Sequence, residues 1–467
     1  MTTTALASPG RTRTPKSRWK ADLLGILAIA SVVLTIWIWA RTGGVLQTFV
    51  YPQYALESQA LLTGLLAQTL MALQVIFLAR IPWVEQSWGH DVLAGRHRLL
   101  GYWSFWLMIA HVALFAINRA SQSGADGPLH ELYLLFVGDS WMLLTSLGTF
   151  MLVVVVVTSI RAARTRIRYE SWHLIHLYSY LGMALAFPHQ LFDGTHFHVW
   201  WTQAFWWVMF LAALAATLVY RVYYPIRRSL RHGLRVTRVS PEAPGVSSIE
   251  MEGRDLDRLQ AKSGQFFIWR FLGGTGWTRG HPYTISAAPT NEKLRITVQA
   301  VGDGSSRAVT IKPGTPVLIE GPYGTLTEDV RRHPKMLMIA AGVGITPFIG
   351  MLEDADYQPG EVTLLFRTSS VESAMHLDEL AVLAKQRGFT LHPLAGARRA
   401  EDSWLPAWLP AGVDGSSDAD ALRQLAPSIT ESDIFICGPE KWNHLVRSSL
   451  RDAGVAKRDV HLEDYSW

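Results

Sequence analysis

A single cysteine, Cys437, is present among 467 residues. One thiol cannot close an internal disulfide, hold an iron–sulfur cluster or anchor a c-type haem, so any haem here is non-covalent. Charge is also scarce, at 17% of residues, and the net formal charge is +5 with a pI near 9.2. That excess is not a nucleic-acid signature, because it is placed by position. Arg11, Arg13, Lys16, Arg18 and Lys20 precede the first apolar run, and Arg161, Arg164, Arg166 and Arg168 follow the fourth, the positive-inside bias of a membrane protein. Nucleic acid is excluded as a partner. Orientation signalling and contact with anionic membrane lipids account for the basic inner loops; a docking surface for the soluble half is the sharper alternative.

Apolar residues are what the chain has in excess: 49% hydrophobic, 19 tryptophans and a mean hydropathy of +0.15. The length allows about three domains. Residues 1–20 read as a disordered cytosolic tail, too polar for a span and followed by a run too long for a signal peptide. Six candidate spans follow, at Leu23–Ala40, Leu61–Leu78, Leu99–Ile117, Trp141–Ile160, Trp172–Phe187 and Val199–Tyr220. Lys and Arg are nearly missing from the connections before Glu57, around Asp126 and Glu131, and at Asp193, which places those loops outside. The loops Arg80–Arg98 and Arg161–Arg168 face the cytosol, and both termini share that side. Trp200, Trp201, Trp206 and Trp207 read as interfacial anchors.

Four histidines interrupt the apolar pattern. His97 and His111 lie on the third span, and His176 and His189 on the fifth. Histidine is costly in hydrocarbon and functional there as a rule. A single one also suits a proton relay or a packing residue, but four at two similar spacings need one shared explanation, and two stacked bis-histidine haems supply it. Fourteen residues separate His97 from His111, nearly four whole turns, so both rings leave one helix face about 21 Å apart at 1.5 Å per residue. The second pair is thirteen apart, about 3.6 turns, and on an ideal helix projects to different faces. Pro188 removes a backbone donor beside His189 and can re-aim that ring, while His173 competes with His176 as a ligand. By orientation, His97 and His176 belong near the inner leaflet, His111 and His189 near the outer.

Beyond Tyr220 the texture changes. Short alternating segments at Leu234–Val239, Phe266–Phe271, Leu294–Val301 and Pro316–Glu320, broken by Gly and Pro, predict a small antiparallel β-barrel. From Lys335 the pattern alternates. Met336–Ala341, Val362–Phe366 and Asp433–Cys437 read as buried parallel strands, with Thr346–Asp354 and Trp442–Ala453 as helices, which predicts an α/β doubly wound nucleotide-binding domain.

Three stretches carry chemistry. His281-Pro282-Tyr283-Thr284-Ile285-Ser286 sets an aromatic ring, hydroxyls and strand amides together, as a flavin ring requires. Gly302-Asp303-Gly304-Ser305-Ser306 ends a strand and suits either a pyrophosphate cradle or a plain turn. Ala341-Gly342-Val343-Gly344-Ile345-Thr346-Pro347 passes from strand to helix, where glycines let a dinucleotide pyrophosphate approach the backbone, although its spacing departs from the full Rossmann fingerprint. Cys437-Gly438-Pro439 ends a later strand at the edge where ligands bind in such sheets. Arg367, and secondly Arg398, is a candidate for a nucleotide 2′-phosphate, or each is an ordinary surface charge.

His-Pro-Tyr-Thr-Ile-Ser, Gly-Val-Gly-Ile-Thr-Pro and Cys-Gly-Pro, in that order, resemble the ferredoxin–NADP reductase type of flavin module. Joined to six spans with histidines at 97, 111, 176 and 189, residues 20–467 resemble the NADPH oxidase and ferric reductase superfamily. The resemblance implies that His281, Pro282, Tyr283, Thr284 and Ser286 contact FAD, with Gln299, Ser305 and Ser306 near its ring or pyrophosphate. It implies that Gly342, Gly344, Thr346 and Pro347 hold NADPH, Arg367 its ribose end, with Cys437, Gly438 and Pro439 by the nicotinamide. It makes Trp467 an aromatic gate that stacks on the flavin and yields to nicotinamide. The family shares the thirteen-residue spacing of the second histidine pair.

The expected architecture is a multi-pass cell-membrane protein: a tail (1–20), a six-helix haem bundle (21–232), an FAD-binding antiparallel barrel (233–332) and an NAD(P)H-binding α/β domain (333–467). The expected activity is electron transfer from cytosolic NADPH through FAD and two b-type haems to O2 outside, giving superoxide. A ferric chelate is the alternative acceptor; Arg41, Asn118, Arg119, His196 and His198 could draw anions to the outer haem, although ordinary loop polarity explains them as well. A relay to a quinone or periplasmic partner, or a non-catalytic receptor with a relict flavin fold, are the remaining readings.

Overall fold

The computed structural model describes residues 19–123, 127–138, 140–167, 169–193, 199–273, 279–399 and 407–462. The chain divides into two compact units, one of Asp22–Ile81 with Leu93–Val219, the other holding Pro82–Val92 and the chain from Tyr220 onward.

The first unit is helical: α1 (Trp19–Trp39), α2 (Ala55–Phe77), α3 (His90–Ser123), α4 (Ser140–Ser159), α5 (Tyr169–Asp193) and α6 (Trp200–Thr217). Among the described residues five helices are long and apolar enough to cross a membrane. The fifth expected span is helical, as α5, but is not one of the five, because histidines, tyrosines and Pro188 replace aliphatic residues along it. α4 and α5 approach most closely, through glycines. A Cβ on Gly148 would stand 2.6 Å from the Gly182 carbonyl oxygen, the close backbone contact that small residues permit between helices in lipid. Between the two levels of histidines lies an apolar core of Ala67, Met108 and Leu152, with Met71, Phe105 and Met183 packed against it.

The second unit begins with α7 (Tyr224–His232), whose Ser229 hydroxyl donates to the Ile319 carbonyl at 3.2 Å and accepts the Ile319 N–H at 3.0 Å. The expected barrel appears as two three-stranded antiparallel sheets. One has the order β1 (Arg235–Ala243), β2 (Val246–Glu252), β5 (Lys293–Gln299); the other β4 (His281–Thr284), β3 (Phe266–Phe271), β6 (Val317–Tyr323). Single bridges at Arg235–Pro316 and Ile285–Ile296 join them, over a shared core that includes Ile249, Met251, Phe267, Trp269 and Ile296. Register shifts in β1 and between β3 and β6 bend the strands where a continuous ladder would otherwise run.

The remainder is a five-stranded parallel sheet in the order β11 (Val460–Leu462), β10 (Ser432–Cys437), β7 (Lys335–Ala341), β8 (Val362–Thr368), β9 (Thr390–Ala395). Its apolar strands are covered on both faces, as a doubly wound sheet demands. Chain order reverses beside β7, between β8 on one side and β10 on the other, so the ligand crevice of such sheets opens where β7 and β10 end. At the opposite edge Asp433 is buried. Burial pushes its carboxyl up, but the His461 ring (2.8 Å) and the N–H groups of His333 and Arg332 (2.6 Å each) outweigh that and hold it below the usual range.

Candidate functional site

In the helical unit, α3 and α5 bring the four histidines into two facing pairs. Ring centroids are 5.9 Å apart for His97 and His176 and 6.5 Å for His111 and His189. His176 rather than His173 faces His97; the His173 ring lies 6.5 Å from Trp172. The helix runs through Pro188 unbroken, and His189 turns back so that its Nδ1 meets the Ala186 carbonyl at 2.5 Å.

α2 supports both histidines on α3. The Ala60 carbonyl meets His111 Nδ1 at 2.8 Å and the Gln74 carbonyl meets His97 Nδ1 at 3.5 Å. Ala60 and Gln74 are fourteen residues apart, as are His97 and His111, so two antiparallel helices keep step over four turns. Gly64 leaves room for the His111 ring, since a Cβ there would stand 2.5 Å from Nδ1. Behind His176, the Ser159 hydroxyl donates to the Val155 carbonyl at 2.6 Å and takes the Trp172 indole N–H at 3.1 Å. Its one hydrogen being spent, it serves His176 Nδ1, 3.3 Å away, as an acceptor. Each Nδ1 thus has an oxygen partner, which places the lone pair of a neutral ring on Nε2. The sequence had not singled out Gly64, Ser159 or Trp172; a glycine and a serine inside apolar helices were the available signal.

Of the residues proposed to meet an acceptor outside, Arg41 is exposed. Arg119 is instead paired with buried Glu131 at 3.0 Å, and Asn118 is buried and accepts from Gln122 at 3.3 Å. His196 and His198 lie outside the described residues.

In the second unit, the His281–Thr284 strand is the edge of its sheet. The rings of His281 and Tyr283, two residues apart on one face, stack at 6.1 Å and 27°. Pro282 and Thr284 pair opposite Ile268 and Phe266. Burial pushes the Tyr283 hydroxyl up to about 12, so it stays protonated at neutral pH. The turn after Gln299, itself exposed, becomes α8 (Asp303–Ala308). Gly304 lies under His281, whose ring a Cβ would strike at 2.3 Å. One correction concerns Ser305: its hydroxyl accepts the N–H groups of Val301 and Gly302 and donates to the Gly302 carbonyl, all at 3.0 Å, so it closes its own turn. Ser306 is exposed.

Gly342–Ile345 forms a 3-10 turn leading into α9 (Thr346–Asp354), with Pro347 at its start. Gly342 has φ 54° and open space beyond it, while a Cβ on Gly344 would stand 2.2 Å from the Cys437 carbonyl oxygen. That glycine lets the two strand ends touch. Cys437 is buried, Thr346 donates to the Val343 carbonyl at 3.0 Å, and Asn443 in α11 (Glu440–Asp452), a residue the sequence had not marked, donates to the Gly438 carbonyl at 2.9 Å beside Pro439.

Arg367 is the second correction. Its Nε donates to the Trp408 carbonyl (3.0 Å), Nη1 to the carbonyls of Thr368 and Leu394, and Nη2 to that of Gly396 (2.6 Å). Four of the five N–H groups of a guanidinium are thereby committed to backbone, so this arginine staples the ends of β8 and β9 together. Burial lowers its pKa, and the nearby charge of Arg398 lowers it further. Arg398 itself is exposed. Trp467 lies outside the described residues, five positions beyond Leu462. Leu462 is in register with Ile436, so β11 delivers the chain to the same edge as Cys437.

Residues 63–187 match the family model described as the ferric reductase like transmembrane component, and residues 338–448 match the oxidoreductase NAD-binding domain. A superoxide-generating NADPH oxidase heavy chain from Dictyostelium discoideum is 22% identical over 329 residues, 61% of this chain and 57% of that one. These matches make the chain similar to the NADPH oxidase and ferric reductase superfamily. It is an oxidoreductase of the membrane type, with a ferric-reductase-like transmembrane component joined to an NAD(P)H-dependent reductase module. Ferredoxin–NADP reductase B of Sorangium cellulosum is 28% identical over 243 residues, 50% of this chain and 96% of the relative. A ferredoxin NADP+ reductase structure from Neisseria gonorrhoeae with bound FAD and NADP aligns at 20% identity and a TM-score of 0.40, over 49% of this chain and 96% of that one. The chain spans about half the length of several other curated relatives it matches.

Proposed function

We propose that this protein is a flavocytochrome b that passes electrons from cytosolic NADPH outward across the membrane, with O2 as first-choice acceptor and superoxide as product. The observation that carries this is the pair of histidine pairs. Two imidazoles sharing one metal, each about 2 Å from it through nitrogen, have ring centres about 6 Å apart. Separations of 5.9 and 6.5 Å fit two such groups. His97 and His176 would hold the inner haem, His111 and His189 the outer. With two histidine nitrogens each, the haems would offer the acceptor no open iron coordination site.

The stacked rings of His281 and Tyr283, with Pro282 between them on an edge strand, offer a flat surface that suits FAD; Thr284 and Ser286 are buried behind it, the Ser286 hydroxyl accepting from Thr297 at 2.9 Å, and would support that surface. Gln299 and Ser306 would lie toward the remainder of that cofactor. Bound FAD would supply the conversion of a two-electron hydride donor into single electrons, which haem requires. Gly342, Gly344, Thr346 and Pro347 would receive the NADPH pyrophosphate at the switch point of the parallel sheet, and Cys437, Gly438 and Pro439 would border its nicotinamide. Trp467 would cover the flavin until nicotinamide arrives.

The protein reconstituted with FAD is expected to show a b-type haem spectrum that NADPH reduces without oxygen. Oxygen uptake with superoxide trapping, run beside a ferric-chelate assay, then separates oxidase from ferric reductase, and failure of both without an added protein would favour a relay. A flavin-replete preparation with no haem sinks the proposal.

Of the two arginines weighed for the nucleotide, the exposed one is the candidate for the 2′-phosphate. Loss of one charge-assisted contact, about 1.5–3 kcal/mol, corresponds to roughly tenfold or more in binding. Arg398→Ala should therefore raise KM for NADPH about tenfold and leave KM for NADH unchanged. Arg367→Ala should instead lower thermal stability, by stranding buried carbonyls, without changing the ratio of the two KM values.

A further inference from the structure

The flavin-type sheets and the parallel sheet meet at polar contacts that no motif accounts for. After β8 the chain reaches His376 in a left-handed conformation (φ 59°, ψ 17°), uncommon for a residue with a side chain, and then enters α10 (Leu377–Arg387). The His376 side chain is 1% exposed. Its Nδ1–H faces the carboxylates of Glu379 at 2.7 Å and Glu242 on β1 at 3.4 Å. Its Nε2 faces the hydroxyls of Thr297 on β5 at 2.9 Å and Ser248 on β2 at 3.4 Å. One ring from the nucleotide-binding half is thus held by three strands of the other.

Glu379 extends the set. It accepts from Arg295 on β5 at 2.8 Å, and the same guanidinium donates to the Ser286 carbonyl at 2.5 Å. Burial pushes the Glu379 carboxyl up, but hydrogen bonds from His376 and Arg295 outweigh it and hold it below the usual range. α9 grips the same segment: Glu353 accepts the Ala288 N–H at 2.5 Å, Asp354 accepts from Ser263 at 2.8 Å, and Gly350 is so near that a Cβ would stand 3.0 Å from the Ala287 oxygen. Three of these contacts, from Arg295, Glu353 and Gly350, fall on Ser286–Ala288, the residues that closely follow His281–Thr284.

We propose that His376 and Glu379 are positioning residues for hydride transfer, a latch that fixes the nucleotide-binding sheet against the strand segment continuing from the flavin motif. This rests on the reading of those two motifs as NADPH and FAD sites. The latch exchanges no atom or electron. It sets the distance over which hydride passes from nicotinamide to flavin, and a displacement of about 1 Å there costs on the order of 100-fold in rate. Gly342, Gly344 and Thr346, the proposed nucleotide contacts, are not among the residues His376 and Glu379 touch, so NADP+ affinity is expected to stay near that of the parent.

The test uses the full chain carrying FAD, mixed rapidly with NADPH. His376→Asn keeps a residue tolerant of the left-handed backbone but too short to reach Thr297; Glu379→Gln keeps shape and removes the charge facing His376 and Arg295. Each variant should slow the limiting rate of flavin bleaching about 10- to 100-fold, with NADP+ affinity within about threefold of the parent, full FAD content and normal reduction by dithionite. An unchanged bleaching rate overturns the latch, as does an equal fall in affinity and rate, or loss of FAD, since those report damage to the fold. A parent protein that NADPH does not bleach at all overturns the underlying reading of the two motifs, and the latch with it.

Discussion

His111→Leu should reach the membrane in normal amount and carry about half the haem of the parent. Leucine is favourable at the centre of a span, so insertion is not impaired. What is lost is the ring that the Ala60 carbonyl holds at 2.8 Å and for which Gly64 makes room, and with it one of the two histidines proposed to hold the outer haem. Removing an outer partner of a metal ligand costs 10–100-fold in affinity, and removing the ligand itself costs more. The inner pair should remain occupied, because His97 and His176 draw on Gln74 and Ser159. NADPH should therefore still reduce the remaining haem, while delivery to O2 or a ferric chelate falls by more than about tenfold. Pyridine haemochrome quantitation per chain, before and after NADPH, reads both effects. Full haem retention would retire the ligand assignment.

The second large effect is expected at Gly344. In Gly344→Val the new Cβ would meet the Cys437 carbonyl oxygen at 2.2 Å, backbone against backbone, so no rotamer relieves it. Gly342–Ile345 must then move off the end of β10 and the switch-point crevice changes shape. Overpacking of this kind costs about 1–3 kcal/mol in stability. The larger consequence is functional: NADPH-driven reduction should fall at least about 100-fold, while dithionite still reduces flavin and haem. Gly342→Ala is the control. It meets no atom within 4 Å and incurs only the left-handed backbone penalty of about 1–2 kcal/mol, so it should retain most of the activity. Equal damage in both variants would show that close packing on Cys437 is not what the second glycine provides.

Much of this was legible along the chain because the relevant signals are local or periodic. A fourteen-residue histidine spacing is a statement about one helix, and it held on α3. The strands Phe266–Phe271 and Lys335–Ala341 and the helix Thr346–Asp354 announce themselves by alternation, an apolar run and a glycine turn followed by Pro347. The readings that failed were of another kind. Whether Arg367 offers its donors to a phosphate depends on how close Trp408, Leu394 and Gly396 come. For Ser305 the plain turn, one of the two readings the sequence left open, is the one its hydroxyl makes.

Residue type and spacing alone determined that this chain is an apolar helical segment joined to a β-strand module and an α/β nucleotide-binding pattern, because the cost of polar groups in lipid and the periods of helix and strand act along the sequence; the flavin reading came with the family resemblance. Tertiary structure decided which side chains are available for chemistry and which are consumed in holding the fold. A hydrogen-bond donor does one task at a time, and its partner, as with His376 and Thr297 seventy-nine positions apart, is chosen by folding rather than by neighbourhood in the chain.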